Sequence, residues 1–226
     1  VQVTTFTVTP TYTNNGIPCT GTPITFTITV YPEVVMNDVD DQAICHNSTI
    51  EAVNFTTSIT DGSMAYSWSR DNENIGGLDM SGSGNLDATA LTNETDEVQV
   101  TTFTVTPTYT NNGIPCTGTP ITFTITVYPK VVMNDVDDQA ICHGSEMAAV
   151  NFTTSITDGS MAYNWSRTNS NIGGLEMNGS GNLDAIALSN ETDQVQVTTF
   201  TVTPTYTNNG IPCTGTPITF TITVYP

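Results

Sequence analysis

VQVTTFTVTPTYTNNGIPCTGTPITFTITVYP, residues 98–129, decides the fold. Near its end Ile121, Phe123, Ile125 and Val127 alternate with Thr122, Thr124 and Thr126. Apolar residues at period two make a strand with one buried and one wet face. Upstream, Phe103, Val105, Pro107 and Tyr109 share one parity, whereas Val98 and Val100 sit on the other. The change near Thr101-Thr102 predicts a bulge or bend, and Pro107 predicts an edge or irregular stretch. Asn111-Asn112-Gly113 is a turn signal, so the segment reads as a β-hairpin.

The same 32 residues occupy 1–32 and 195–226 without a change, a spacing of 97 residues each time. The chain divides into a fragment, 1–32, and two full units, 33–129 and 130–226, which differ at 13 of 97 positions. A unit of this length suits one small domain that buries its own core. The fragment is the C-terminal hairpin of a truncated repeat, and a lone hairpin is marginal in water. Because the chain starts at Val1 with no secretion signal, the expectation is a stretch of a longer array, with the rest of the first unit upstream.

Each full unit offers further short strands. In 33–129 these are Val34–Met36, Ala52–Phe55 with Ile59, an alternating Met64, Tyr66 and Trp68, and Leu86, Ala88 and Ala90. Gly76-Gly77 and Ser81-Gly82-Ser83-Gly84 read as turns. No helical period persists beyond one turn. Seven or so short strands with one central Trp predict tandem all-β, immunoglobulin-like sandwiches.

Composition narrows the compartment and the partners. Three basic residues, Arg70, Lys130 and Arg167, stand against 22 acids, for a net charge of −19. Such a surface is unsuited to nucleic acid or anionic membrane, which need Lys and Arg. It also leaves few sites for trypsin-like proteases. No apolar run reaches the roughly 18 residues of a membrane span. Two cysteines per full unit predict disulfides in an oxidising compartment.

The sequence Ala43-Ile44-Cys45-His46, Val53-Asn54-Phe55-Thr56, Tyr66-Ser67-Trp68, Gly82-Ser83-Gly84-Asn85, Thr106-Pro107-Thr108-Tyr109 and Cys116-Thr117-Gly118-Thr119-Pro120 resembles the PKD-like and Ig-like repeats of giant surface proteins of Bacteroidota. Among these are adhesins and filaments exported by the type IX pathway. The resemblance covers the whole unit in both copies. It implies PKD-like β-sandwich modules in an extracellular, surface-attached protein. Ser69-Arg70-Asp71-Asn72 stands where a true PKD domain has a Gly-Asp-Gly turn.

Four groups of residues are candidate sites. The cysteines pair either within a unit, Cys45 with Cys116 and Cys142 with Cys213, or between neighbours, Cys45 with Cys213; Cys19 pairs outside the chain given. The acidic clusters Asp38, Asp40, Asp41 and Asp135, Asp137, Asp138 near the unit starts could hold Ca²⁺, or serve as charged edges that prevent aggregation. No other cofactor is implied. Thr104, Thr106, Thr108 and Thr110 should share a face with Thr122, Thr124 and Thr126, a flat array suited to ice or glycan, or simply a wet β surface. Asn47, Asn54, Asn93, Asn151, Asn164, Asn178 and Asn190 begin N-x-S/T sequons.

Catalysis has no support: His46 and His143 each stand alone after a Cys, and no nucleophile set or phosphate loop can be assembled. Near-identical repetition favours reach over recognition. The expected role is a stiff extracellular spacer, each unit adding on the order of 40 Å. The alternative is a repeated adhesive module for glycan, ice or another cell, acting by avidity. The expected partners are neighbouring repeats and other copies in a filament.

Overall fold

A computed structural model describes all 226 residues, and it is all-β. Each full unit is one large sheet backed by a thinner layer. In the first, the large sheet runs Gln42–Ile44, Ile121–Val127, Gln99–Asn111, Ser63–Arg70, Ser81–Ser83, with Ile114–Thr117 also paired to Gln99–Asn111. In the second it runs Gln139–Cys142, Ile218–Tyr225, Gln196–Asn208, Ser160–Arg167, Asn178–Ser180, with Ile211–Thr214 added likewise. All neighbours are antiparallel except the edge strands Gln42–Ile44 and Gln139–Cys142, which run parallel to the last strand of their unit.

The thinner layer is made of short pieces. In the first unit Ser48–Thr49, Ala90–Asn93 and Ile75–Gly76 pair, and the Val53–Leu86 and Met36–Thr57 contacts are single bridges. The strands expected over Val34–Met36 and Ala52–Phe55 shrink to these bridges. Side chains replace part of the ladder: Asn85 Oδ1 accepts from Phe55 N at 3.0 Å, and the Gln42 amide spans Glu51 N and O. Polar side chains thus satisfy backbone groups that a regular second sheet would have paired.

The long strand Gln99–Asn111 organises the core. Its inward residues Phe103, Val105 and Tyr109 are fully buried. Phe103 pairs in register with Phe123, their rings stacked at 4.9 Å. Trp68 tilts against Phe103 at 5.8 Å, and Met36, Phe55, Leu86 and Leu91 close the layer from the other side. The second unit repeats this core around Phe200, Phe220 and Trp165.

Three local expectations are corrected. The strand has no bulge at Thr101-Thr102: pairing runs unbroken from Gln99↔Val127 to Val105↔Ile121. Val100 faces water instead, and Thr101 points inward, fully buried, its hydroxyl within bonding distance of Asp71 Oδ1 (3.3 Å) and Asn72 N (3.4 Å). Pro107 lies on a central strand. Its carbonyl accepts from Gly118 N, so its missing N–H would have pointed into the gap where pairing passes from Ile121–Val127 to Ile114–Thr117. Ser81–Ser83 is a strand beside Trp68, because Gly82 lets the backbone lie on the indole; a Cβ there would meet Trp68 Cζ2 at 2.3 Å. The predicted turn at Asn111-Asn112-Gly113 does form, with Asn112 and Gly113 both at positive φ (49° and 78°), as a type I′ turn requires.

In residues 1–32, Gln2–Val8 pairs with Ile24–Val30 in the same register, Phe6 opposite Phe26. Here the apolar face is open: Phe6 and Phe26 are 42% and 48% exposed. Tyr31 reaches the next unit, its ring 6.1 Å from Tyr109.

Candidate functional site: the junction between the sandwiches

The most elaborated site is where the two sandwiches meet. Tyr128, the last aromatic of the first unit, is 1% exposed and tilts against Tyr206 at 6.0 Å. Val131, Ile156 and Cys213 complete a small separate core, with Cys45, Val98, Met161 and Ile211 partly buried at its margin. The first unit contributes its bottom end and the second its hairpin tip.

Polar bonds frame this core. Ser155 Oγ donates to Asp96 at 2.7 Å, and Lys130 N donates to Asn93 O at 3.2 Å. Lys130 Nζ pairs with Glu94 at 3.1 Å, and Glu94 lies 3.6 Å from His46 Nε2. The Lys130–Glu94 ion pair is exposed and contributes little, on the order of 0–1 kcal/mol. Tyr206 OH donates to Asp158 at 3.1 Å and accepts from Asn208 at 2.7 Å, which fixes the ring that Tyr128 covers. Burial pushes the Tyr206 hydroxyl above the ordinary tyrosine value, with Asp158 and Tyr128 adding to it and Asn208 opposing. Gly215 brings the hairpin tip onto the linker; a Cβ there would meet Val131 O at 2.4 Å.

A covalent bond closes the junction. Cys45 and Cys213 form a disulfide across it, their Cα atoms 5.5 Å apart and 168 residues apart in sequence. The within-unit pairing is thereby overturned. Cys45 follows Ile44, which lies beside Val127, itself the partner of Gln99; Cys116 pairs with Tyr109. Gln99 and Tyr109 are ten residues apart on one strand, roughly 33 Å at 3.3 Å per residue. A disulfide needs Cα atoms within about 7 Å. The two cysteines of one unit therefore sit at opposite ends, each aimed at a neighbour, and Cys19, Cys116 and Cys142 are thiols.

The other predicted residues fare as follows. Asp38, Asp40 and Asp41 do not converge, nor do Asp135, Asp137 and Asp138; no three acidic, His or Cys side chains gather as a metal site. Asp41 and Asp138 each accept a backbone N–H from the strand alongside, Thr124 and Thr221, at 2.6 Å, which spends them on holding the edge. Val39 between the acids turns inward onto the core and spreads them. Asn93 and Asn190 are buried, their amides donating to Glu97 O and Val127 O, and to Gln194 O and Val224 O, so neither sequon can carry a glycan in the fold. Asn47, Asn54, Asn151, Asn164 and Asn178 are exposed. On the outer face Thr104 opposes Thr122, but Thr106, Thr108 and Thr110 have moved on to the Ser63–Arg70 and Ile114–Thr117 strands, so the single ladder expected is split.

Arg70 and Arg167 are residues the sequence reading passed over. Each is buried, at 8% and 7% exposure. Arg70 donates to the carbonyls of Asp79 (3.0 Å), Ile75 (2.8 Å), Asn72 and Leu78, and Arg167 repeats the pattern. Burial lowers the Arg70 pKa, with Asp79 and Asp71 opposing. The loop 71–80 is wound around this guanidinium.

Two disulfide-joined sandwiches in tandem define an immunoglobulin-like repeat module. The PKD-like domain family matches residues 42–131 and 139–226, and the chain belongs to that family. Domains of this kind are usually extracellular and non-catalytic, and a disulfide fits an oxidising compartment. No curated protein matches the chain. Among solved structures it is similar to human protocadherin-24 EC1-2 (13% identity over 87% of this chain and 98% of that one, TM-score 0.40). It is also similar to Drosophila N-cadherin EC1-4 (15%, 98% and 58%, TM-score 0.29) and to a chimeric titin Z1Z2 tandem (13%, 87% and 100%, TM-score 0.24).

Proposed function

We propose that the chain is a stiff spacer segment of a long surface-attached protein, built from repeats at 33–129 and 130–226 behind the hairpin 1–32, with no catalytic role. The observation that carries this reading is the Cys45–Cys213 disulfide beside the buried Tyr128–Tyr206 contact. A flexible necklace needs neither, whereas a rod needs its beads fixed to one another. The linker Tyr128-Pro129-Lys130-Val131 leaves little slack, and Pro restrains the backbone. Repetition adds reach, and the −19 charge keeps copies apart. The resemblance of each unit to the repeats of giant Bacteroidota surface proteins implies a surface adhesin or filament, exported by the type IX route, as the parent protein.

Electron microscopy and small-angle scattering of the 226-residue chain test the reading. Oxidised protein should hold one angle between its two full sandwiches, and reductant should broaden it. A freely rotating pair under oxidising conditions would overturn it.

A further inference from the structure

We propose that the trench beside the edge strand Gln139–Cys142 of the second sandwich docks an extended segment of a partner protein in which apolar and basic residues alternate. The trench is a cavity of about 580 Å³ at the seam between the large sheet and the thinner layer. Ala140, Ala148 and Ala149 are exposed on its walls, and Ile141 and Val150 are set deeper. The Gln139 amide spans Ala148 N and O at 2.8 and 3.1 Å, which ties the two walls together and fixes the shape before any ligand arrives.

The strand alongside offers free backbone groups. Gln139–Cys142 is the outermost strand of its sheet and runs parallel to Ile218–Tyr225. His143 N donates to Tyr225 O, which sets the alternation of that ladder: Gln139, Ile141 and His143 bond towards Ile218–Tyr225. The N–H and C=O of Ala140 therefore point out of the sheet. Such an edge is a template for another strand, and folded proteins usually block it with charge or cover it.

The first sandwich carries that block. Its counterpart of Ala148 is Glu51, which lines both of two separate cavities, about 260 and 360 Å³, where the second sandwich has one. Between the units the carboxylate shifts by two residues: Glu146 of the second unit stands where the first has Thr49. The middle of the trench thereby becomes a methyl group, and the charge moves along the wall.

A neighbouring sandwich is not the occupant. The second sandwich is bonded to the end of the first, yet the trench of the first stays open. Charge selects the partner instead. Asp135, Asp137 and Glu146 are exposed where they line the trench, on a chain of net charge −19. A strand added beside Ala140 turns alternate side chains to opposite sides. Its apolar residues can fill the trench while the Lys or Arg between them answer the carboxylates. An acidic strand would meet like charge, and a polar one would leave the alanines wet. The inference does not depend on the spacer reading, because the trench shares no residue with the junction core.

The test titrates the oxidised 226-residue chain with a blocked peptide of alternating valine and lysine, about eight residues long, by calorimetry and amide NMR. A peptide of alternating serine and lysine carries the same charge and serves as control. One site per chain is expected, with the Ala140 and Ala148 amides shifted and the control weaker by about tenfold or more. Ala148→Glu should weaken binding by about tenfold or more, since the peptide would bury an unpaired carboxylate. Simple attraction to an acidic chain predicts the reverse for that variant. Glu51→Ala should open the first trench and raise the stoichiometry to two. Equal binding of the two peptides, a site untouched or strengthened by Ala148→Glu, or a single site in Glu51→Ala would each overturn the proposal. None of these outcomes bears on the angle between the sandwiches.

Discussion

Asp71 Oδ1 accepts the backbone N–H of Thr102 at 2.8 Å, and in the second sandwich Thr168 Oγ1 accepts that of Thr199 at 3.1 Å. One repeat thus uses an ionisable acceptor where the other uses a hydroxyl. The Thr102 backbone bond, together with the hydroxyls nearby, holds the Asp71 carboxyl below its usual range. A depressed carboxylate pKa contributes stability that is present above the unfolded value of about 4 and lost as pH falls through the folded one. Acid titration below about pH 4 should therefore loosen the first sandwich before the second. Residue-resolved hydrogen exchange on the two long strands checks it, and Asp71→Thr should remove the difference.

The Arg70 guanidinium is the sole partner of several loop carbonyls, so Arg70→Met should leave buried acceptors unpaired. A loss of about 3 kcal/mol or more in the first sandwich is expected. Denaturant unfolding followed by Trp68 fluorescence measures it, in a Trp165→Phe background so that one indole reports. Arg70→Lys should recover a minor part, because an ammonium cannot span the same set of carbonyls.

Gly82→Ala and Gly179→Ala push a methyl into Trp68 and Trp165, at 2.3 and 2.4 Å. Either the indole or the short outer strand must move. The expected cost is about 1–3 kcal/mol per sandwich, seen as a lowered unfolding midpoint. An unchanged midpoint with an unchanged fluorescence maximum would count against the packing described.

Burial raises the hydroxyl pKa of both Tyr109 and Tyr206. For a raised pKa the stabilisation is full below the unfolded value of about 10 and is lost as pH rises through the folded value. With thiols blocked, the junction should hold to about pH 10 and loosen above it. Tyrosinate absorbance should include a component that titrates above the usual tyrosine value. Tyr206→Phe should flatten the alkaline limb.

Much of the architecture was legible in residues 98–129. The Ile121–Val127 alternation, the Asn-Asn-Gly turn and the Trp68 strand all stand where the pattern put them. Thr101 misled because a threonine reads as polar, yet here it is buried with its hydroxyl satisfied, which shifts nothing in the register. Arg70 could have been found: it continues the parity of Met64, Tyr66 and Trp68, so an inward charge was implied. The cysteine partners were not legible from spacing. They depend on which end of each sandwich the two thiols occupy and on which end meets a neighbour, and both are properties of the folded array.

The Cys45–Cys213 bond also changes what a pull on the chain can do. Tension applied at Val1 and Pro226 enters along the backbone to Cys45, crosses the sulfurs and leaves from Cys213. Residues 46–212 hang in a closed loop that bears no load. The outer segments, 1–44 and 214–226, can be drawn out, but neither long central strand, Gln99–Asn111 nor Gln196–Asn208, can be unravelled until the sulfur bridge is cut. The chain is a tether whose greatest extension is set by chemistry, and reductant would release the length held in reserve.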